Sequence, residues 1–555
     1  MEAPPQLDDP EIGRKVGTGP PVTVHGVVLN AATGLPLPRV LVKLESVEGV
    51  GALTGSEGQF EIPGVPSGLQ TFTVLKPGFR GPGDSSESSG SADHSVLVAA
   101  NMPDLAFSLA PENALYGHVS LSTGDPAVGI GVTLLRLTVE NGRSSWVQAD
   151  SHQTSPEGAY RFSRLDDGTY TVMSHPAFDN ENATAPMCNG PAPDDVKGYA
   201  ISYLGDAADL GGASRIQLAG GQAGQADLAL TLGSYHAVHI GLSKPVAGSQ
   251  WQFSSTLLNR NGQSLGYPLR QDDKTHTVCA YLPNGEYTLA MEGSADHERP
   301  TDKSAEIAGL LDFAVEGHAD ARLRIPLAPG VSTPIHIRYE PSPPAARPTA
   351  NSGQEDDESD EAEPLGIVIT RANGTSAPGE GGPTASQKNA ILYEVEMAAP
   401  GAYWVHGTAN ASGTCLGAVT AGGENVAHTP WIVGTGGTGQ PIEVVLRTDC
   451  AKLNMQLSAT VLGERPGEMP VLFVYVVPEF DSVEDISMLT ADPSDSPNLT
   501  VEDMTPGPYH VFVFLTQQSL EYQNPAAMQR IADKGQRVTL APGVTTNLVL
   551  EIPTR

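Results

Sequence analysis

Leu165-Asp-Asp-Gly168-Thr-Tyr170-Thr-Val172 decides the fold, because it returns along the chain. Leu282-Pro-Asn-Gly285-Glu-Tyr287-Thr-Leu289 and Met504-Thr-Pro-Gly507-Pro-Tyr509-His-Val511 repeat its order of apolar residue, turn, glycine and aromatic residue. Met397 to Val405 carries it with one extra residue, through Gly401 and Tyr403, and Val65-Pro-Ser-Gly68 is a fifth copy with Phe72 in the aromatic role. The glycines at 68, 168, 285, 401 and 507 stand 100, 117, 116 and 106 residues apart, the length of one immunoglobulin-size sandwich. Glycine is expected here because a turn needs positive φ, and the alternation after it makes a half-buried strand whose aromatic residue faces the core. An apolar residue three places before the Leu, Val or Met keeps the register in four copies (Ile62, Phe162, Cys279 and Val501), whereas the fourth unit has Glu394 there.

The first two units share more. Gly26-Val-Val and Gly117-His-Val open strands, and Thr33-Gly34 and Thr123-Gly124 make turns followed by Pro36 and Pro126. Val40-Leu-Val-Lys-Leu44 and Ile130-Gly-Val-Thr-Leu134 then alternate, and Gly58 and Gly158 each lie ten residues before the repeat glycine. Units also close alike, as in Ile216 to Leu230 and Val538 to Leu550. The single helix expected begins with Asn524 as N-cap and Pro525 at its first position and stops at Gly535.

Working outward, 555 residues bearing 31 Lys plus Arg against 64 Asp plus Glu carry a formal charge of −33. Such a surface repels polyanions, so nucleic acid is excluded as a partner. With 61 glycines and 46 prolines, the composition favours short strands and many turns. No apolar run reaches the ~18 residues of a membrane helix. Residues 1–21 show neither the basic start nor the apolar core of a signal peptide, and Glu2-Ala-Pro-Pro-Gln6 reads as the start of a processed, exported chain whose export segment lies outside this numbering.

The expected organisation is all-β, a tandem array of five Ig-like or transthyretin-like sandwiches. A flexible segment, 1–21, precedes sandwiches at 22–113, 114–234, 235–340, 365–450 and 451–555, the last with a short helix near 525–534. Residues 341–364, Pro-rich and then Glu355-Asp-Asp-Glu-Ser-Asp-Glu-Ala-Glu363, read as a disordered acidic linker that separates a three-domain arm from a two-domain arm. The acidic run has no fixed ligand spacing and reads as solvated linker instead of a cation site.

The opening unit, with Gly26-Val-Val-Leu-Asn-Ala-Ala-Thr-Gly34-Leu-Pro36, Gly58-Gln-Phe60 and Lys76-Pro-Gly78-Phe79, resembles the carboxypeptidase regulatory-like domains, transthyretin-like sandwiches of bacterial secreted and envelope proteins. The second unit resembles them well, and the last three resemble degenerate trailing copies. The resemblance implies a non-catalytic array with no zinc ligands and no peptidase domain. The wider fold family includes carbohydrate-binding modules, which raises sugar binding by analogy.

No catalytic, cofactor or metal site follows from the residues. Gly262-Gln-Ser264-Leu-Gly266 has the letters of a nucleophile elbow, but Asn261-Gly262 is a hairpin signal where a strand-to-helix turn is required. Gly434-Thr-Gly436-Gly-Thr-Gly439 has those of a dinucleotide loop, but the strand Ile442 to Leu446 follows where a helix is needed; it reads as a flexible hairpin loop. His236 and His239 lack further ligands, and Lys43 reads as solvent-facing, not as the lysine of an isopeptide bond. Cys415 and Cys450, 35 residues apart in one unit, are the expected disulfide. Cys279 reads as a buried apolar residue in preference to a partner for Cys188. Trp404 follows core-facing Tyr403 and so turns to the opposite face, either exposed or in a domain contact. Trp404 with Trp431 forms the candidate ligand-stacking pair. The function expected is an exported structural, adhesive or scaffold element at the bacterial envelope, bound to protein or to itself; the alternative is polysaccharide recognition through exposed aromatics.

Overall fold

A computed structural model describes residues 20–47, 49–81, 91–180, 196–243, 251–259, 263–272, 275–295, 306–317, 323–341, 364–372, 385–389, 391–395, 400–457, 472–491 and 498–551. Strands dominate them, arranged in small sheets that pair into sandwiches. Each sandwich is closed by one device: its opening strand lies between the strand that leads to the repeat glycine, antiparallel, and the domain's last strand, parallel. In the first, Pro21–Asn30 lies between Gln59–Pro66 and Leu105–Pro111. In the second, Asn113–Leu121 lies between Ala159–Leu165 and Leu228–Leu230.

The device recurs in the remaining three. Leu232–Leu242 takes Thr277–Leu282 and Arg324–Ile325, Thr333–Glu340 takes Leu392–Val395 and Ile442–Arg447, and Ala451–Leu457 takes Asn498–Met504 and Thr545–Leu550. Parallel neighbours need a long crossover, and here the rest of the sandwich supplies it. The five parallel first-to-last pairs therefore mark five domains.

The repeat glycine begins the strand that crosses to the opposite sheet: Gly68–Leu75, Gly168–Ser174, Gly285–Ala295, Gly401–Ala409 and Gly507–Phe514. Phe72, Tyr170, Tyr287, Tyr403 and Tyr509 all face the core, none more than 6% exposed. A buried phenol needs a partner. The hydroxyls of Tyr170, Tyr287 and Tyr509 donate to the carbonyl four residues upstream, on Asp166 (3.0 Å), Pro283 (2.8 Å) and Thr505 (2.6 Å). This is the tyrosine corner of sandwich folds, and it staples the turn before the glycine to the strand after it.

Positive φ explains less than expected. Gly68 has φ 118°, but Gly401 and Gly507, at 158°, are close to extended, and Gly168 and Gly285 are not in the positive region. The glycine supplies room instead: a Cβ on Gly285 would stand 3.1 Å from the Tyr287 hydroxyl, and one on Gly507 would stand 2.6 Å from the Phe480 ring.

The first two sandwiches also share a buried threonine that lies outside the repeat motif. Thr54 Oγ1 donates to the Leu37 carbonyl (2.7 Å) and accepts from the Val40 amide (2.9 Å). Thr154 Oγ1 does the same with Ala127 (2.5 Å) and Ile130 (2.9 Å). Each hydroxyl ties the entry of one strand to its neighbour where water is excluded.

Two domain boundaries move. Segments Ala177–Phe178 and Val196–Tyr199, expected in the second sandwich, extend the sheet of the third, with Val196 opposite Tyr235. Thr333–Glu340, expected to end the third, opens the fourth, where Ile335 and Ile337 share one core with Leu365 and Ile369. The acidic segment therefore joins two strands of one sandwich and does not separate two arms; its residues 342–363 lie outside the described residues. By contacts the chain forms two compact units, one of residues 1–136, 149–174 and 201–230, the other of 137–148, 175–200 and 231–555. The expected helix is present but short: Asn524 caps Pro525–Gln529, its side chain accepting from the Ala527 amide, and a 3₁₀ turn at Ala532–Lys534 precedes the strand Gly535–Leu540.

Candidate functional site

Strand alternation places Tyr403 in the core and Trp404 on the outer face, yet that face is covered. Residues 137–148 belong to the second unit, and Arg143 stacks its guanidinium 3.7 Å from the centre of a Trp404 ring. Arg143 also donates to the Ala427 carbonyl. On either side of it, the Gly142 carbonyl accepts from the Gln523 amide (3.0 Å) and Ser144 Oγ donates to Glu521 (3.3 Å). This hairpin tip thus holds the fourth and fifth sandwiches together. Burial lowers the Arg143 pKa to about 10.

Beneath the tip, His406 is 8% exposed and its pKa is lowered, first by desolvation. Tyr522 donates to Asp485 (2.8 Å) and its pKa is raised, chiefly by burial. Glu484 is pushed up to about 7 by desolvation, against the hydrogen bond it receives from the Ala409 amide. Trp431, the other residue of the expected stacking pair, is 2% exposed and donates its indole N–H to the Gln440 carbonyl (3.0 Å). It is a core residue and offers no ring face to a ligand. Its alternation looked like that of Trp404 because one strand reveals two faces, not which of them is covered.

Cys415 and Cys450 form the expected disulfide, with Cα atoms 5.9 Å apart. The bond sits at the boundary of two sandwiches, since Ala451 opens the fifth. Next to it, Thr505 Oγ1 donates to the Leu416 carbonyl (2.6 Å), and the Gly413 amide donates to Asp503 (3.1 Å). Cys279 is buried as expected but is not a free thiol, being disulfide-bonded; Cys188 lies outside the described residues.

The first unit contains an equivalent boundary built differently. Asp166, in the turn before Gly168, pairs with Arg80 of the first sandwich and with Arg136 at 2.7 Å. Asn113, 1% exposed, donates to Asp167 (2.8 Å) and to the Leu165 carbonyl, while its own oxygen accepts from the amides of Gly221 and Gln222 (2.9 and 2.8 Å).

The other motifs hold no chemistry. Ser264 is exposed in a short strand paired with Leu258, the far side of a hairpin. The glycine loop 434–439 joins strands of two different sheets through a 3₁₀ turn, so it is a crossover and not a hairpin. Lys43 is exposed on Leu41–Leu44. His236 and His239 lie along one strand opposite Leu282 and Cys279. Among the described residues no cluster of three or more His, Cys, Asp or Glu could hold a metal ion.

Sequence reasoning missed a cavity of about 330 Å³ beside the Arg143 contact. Phe480, Phe512 and Met528 supply apolar walls, and Glu479, Asp481 and His510 supply polar ones. His510 Nδ1 lies 3.1 Å from Glu479, which also pairs with Arg537 at 2.6 Å, and His428 Nε2 lies 3.0 Å from Asp481. No sequence signal marks it, because its residues come from four separated segments.

No protein-family model matches the chain, and no curated protein matches it. Among solved structures, the Bacillus anthracis TIE protein aligns over 96% of this chain and 68% of its own at 9% identity, with a TM-score of 0.15. A streptococcal ancillary pilin aligns over 56% of this chain and 99% of its own at 10% identity and a TM-score of 0.19. BcpA, the major pilin subunit of Bacillus cereus, aligns over 79% and 98% at 7% identity and a TM-score of 0.15. Superpositions this loose carry no argument about activity. The chain is a multi-domain β-sandwich protein on its own topology.

Proposed function

We propose that the chain is an exported, non-catalytic structural element of the bacterial envelope whose sandwiches meet a protein partner or a second copy of the chain. The observation that carries this reading is the Cys415–Cys450 disulfide at a sandwich boundary. Disulfides persist in oxidising compartments, and this one fixes the residue before the fifth sandwich to a strand of the fourth. The built boundary at Asn113 and Asp166 supports the same reading, since an array that bears load needs fixed joints. No helix among the described residues is long and apolar enough to cross a membrane. The shared Thr54 and Thr154 ties support the likeness of the first two sandwiches to each other.

The test is fractionation of producing cells with thiol alkylation before lysis, followed by crosslinking and by retention assays on insoluble polysaccharide. The expected result is protein outside the cytoplasm with unreactive Cys415 and Cys450, crosslinked to protein and not retained on polysaccharide. Alkylated cysteines in the cytoplasmic fraction overturn export. Saturable retention lost on Trp404→Ala moves the protein to sugar binding, and turnover lost on Ser264→Ala makes it a hydrolase.

A further inference from the structure

We propose that the cavity between Phe480, Met528 and Asp481 is a binding site for a lysine or arginine side chain presented by a protein partner. The lining pairs an apolar body with an acidic end. Phe480, half-buried, offers the accessible ring, Phe512 being fully buried, and Asp481 carries a carboxylate whose side chain is 56% exposed. No lysine or arginine lines the space; its basic side chains are His428 beside Asp481 and His510 beside Glu479, and Asp481 keeps more than half of its side chain exposed to an incoming cation. A volume of about 330 Å³ accommodates an alkyl stem with an ammonium or guanidinium head, the form of side chain that buries its stem and keeps its charge near an acid.

The same unit already seats its own arginines this way. Arg143 lies over Trp404, and Arg371 lies 5.5 Å from the Tyr403 ring centre and 4.0 Å from Glu292. The cavity repeats that recipe at Phe480 and Asp481, with the cation supplied from outside. A formal charge of −33 over the chain draws basic partners toward it over long range. Glu479 is held by His510 and Arg537, so Asp481 is the carboxylate that receives the incoming charge, with His428 steadying it from the other side. This inference goes beyond the structural role and does not depend on where the protein resides.

The test uses the full chain with ¹³C-methyl methionine, in which the Met528 signal among 11 methionines is assigned with Met528→Leu. Nα-acetyl-lysine N-methylamide, its arginine counterpart, the neutral norleucine isostere, the glutamate analogue and free n-butylamine are titrated separately. The expected result is a saturable Met528 shift with the lysine and arginine probes in the millimolar range, weakened at least about fivefold by Asp481→Asn. The norleucine and glutamate probes leave the signal in place. Binding of n-butylamine alone, without either amino-acid probe, overturns a peptide side chain as the occupant. An equal response to norleucine, no saturable response to any probe, or an Asp481→Asn protein that binds like the parent overturns the proposal. Asp481 is exposed, so the substitution leaves the fold intact; retained tyrosine-corner protection in hydrogen exchange verifies this.

Discussion

Two boundaries between successive sandwiches occupy the same place in the repeat and are built from different residues, one of them with a disulfide. Where the second sandwich meets the first, the residue two before the repeat glycine is Asp166, which pairs with Arg80 and Arg136, and the residue before it, Leu165, stands opposite the buried Asn113. Where the fifth meets the fourth, those positions are Thr505 and Ala451: the hydroxyl donates to one carbonyl and the alanine is simply buried. Beside them stand the Gly413–Asp503 hydrogen bond, the Arg447–Asp449 ion pair and a covalent bond, Cys415–Cys450, one residue before that alanine. One topology thus accepts a boundary with or without a disulfide, because the corner presents the same loop to the preceding domain in both.

Breaking the covalent side should have the largest effect. Cys415→Ser with Cys450→Ser, or reduction of the parent, is expected to lower the local stability around residues 413–451 by about 2–4 kcal/mol. The check is pulse proteolysis with and without reductant, in which cleavage at the fourth-to-fifth boundary rises and cleavage at the first-to-second does not. Cleavage rising equally at both ends the contrast.

Asn113→Ala comes next. It strands the amides of Gly221 and Gln222 and removes a donor from Asp167, at an expected cost of about 2–3 kcal/mol for buried groups left unpaired. Hydrogen exchange at those two amides reads it directly, and unchanged protection would mean the hub is ornamental. Asp166→Asn should cost about 1–2 kcal/mol, since the pair is partly exposed. Its loss should also flatten the salt dependence of exchange at this boundary.

Thr505→Val removes a single buried hydrogen bond and should cost about 1 kcal/mol, measured as exchange of the neighbouring Tyr509 strand. The last effect is pH-dependent. Glu484 rises from 4.5 to about 7 on folding, so the folded state holds its proton more tightly than the unfolded one. The stability it contributes is complete below pH 4.5 and is lost as pH climbs toward 7. Glu484→Gln should therefore protect residues 482–486 more than the parent does at pH 8 and equally at pH 4.5. A gain that persists at low pH would refute the assignment.

Much of the fold was legible because the repeat encodes a local conflict with one solution. An aromatic residue two places after a glycine, on an alternating strand, must be buried, and the buried phenol must find an acceptor in the turn just passed; Tyr170, Tyr287 and Tyr509 do so. The Asn524-Pro525 helix start and the Cys415–Cys450 bond were legible for the same reason, as contacts within one unit. The domain limits near 175–200 and 333–340 were not, because a strand's own residues do not say which neighbour it will pair with.

What the amino-acid order by itself determined is therefore the number of sandwiches, the face each repeat aromatic presents and the acidity of the surface, all consequences of period and charge. What only the tertiary structure decided is which outer faces stay open. Trp404 and Trp431 sit in strands of similar pattern, yet Arg143, 261 residues before Trp404, covers one and the core encloses the other. The cavity beside them exists because segments distant in sequence converge there, and burial by a distant segment leaves no mark on the local alternation of the strand it covers.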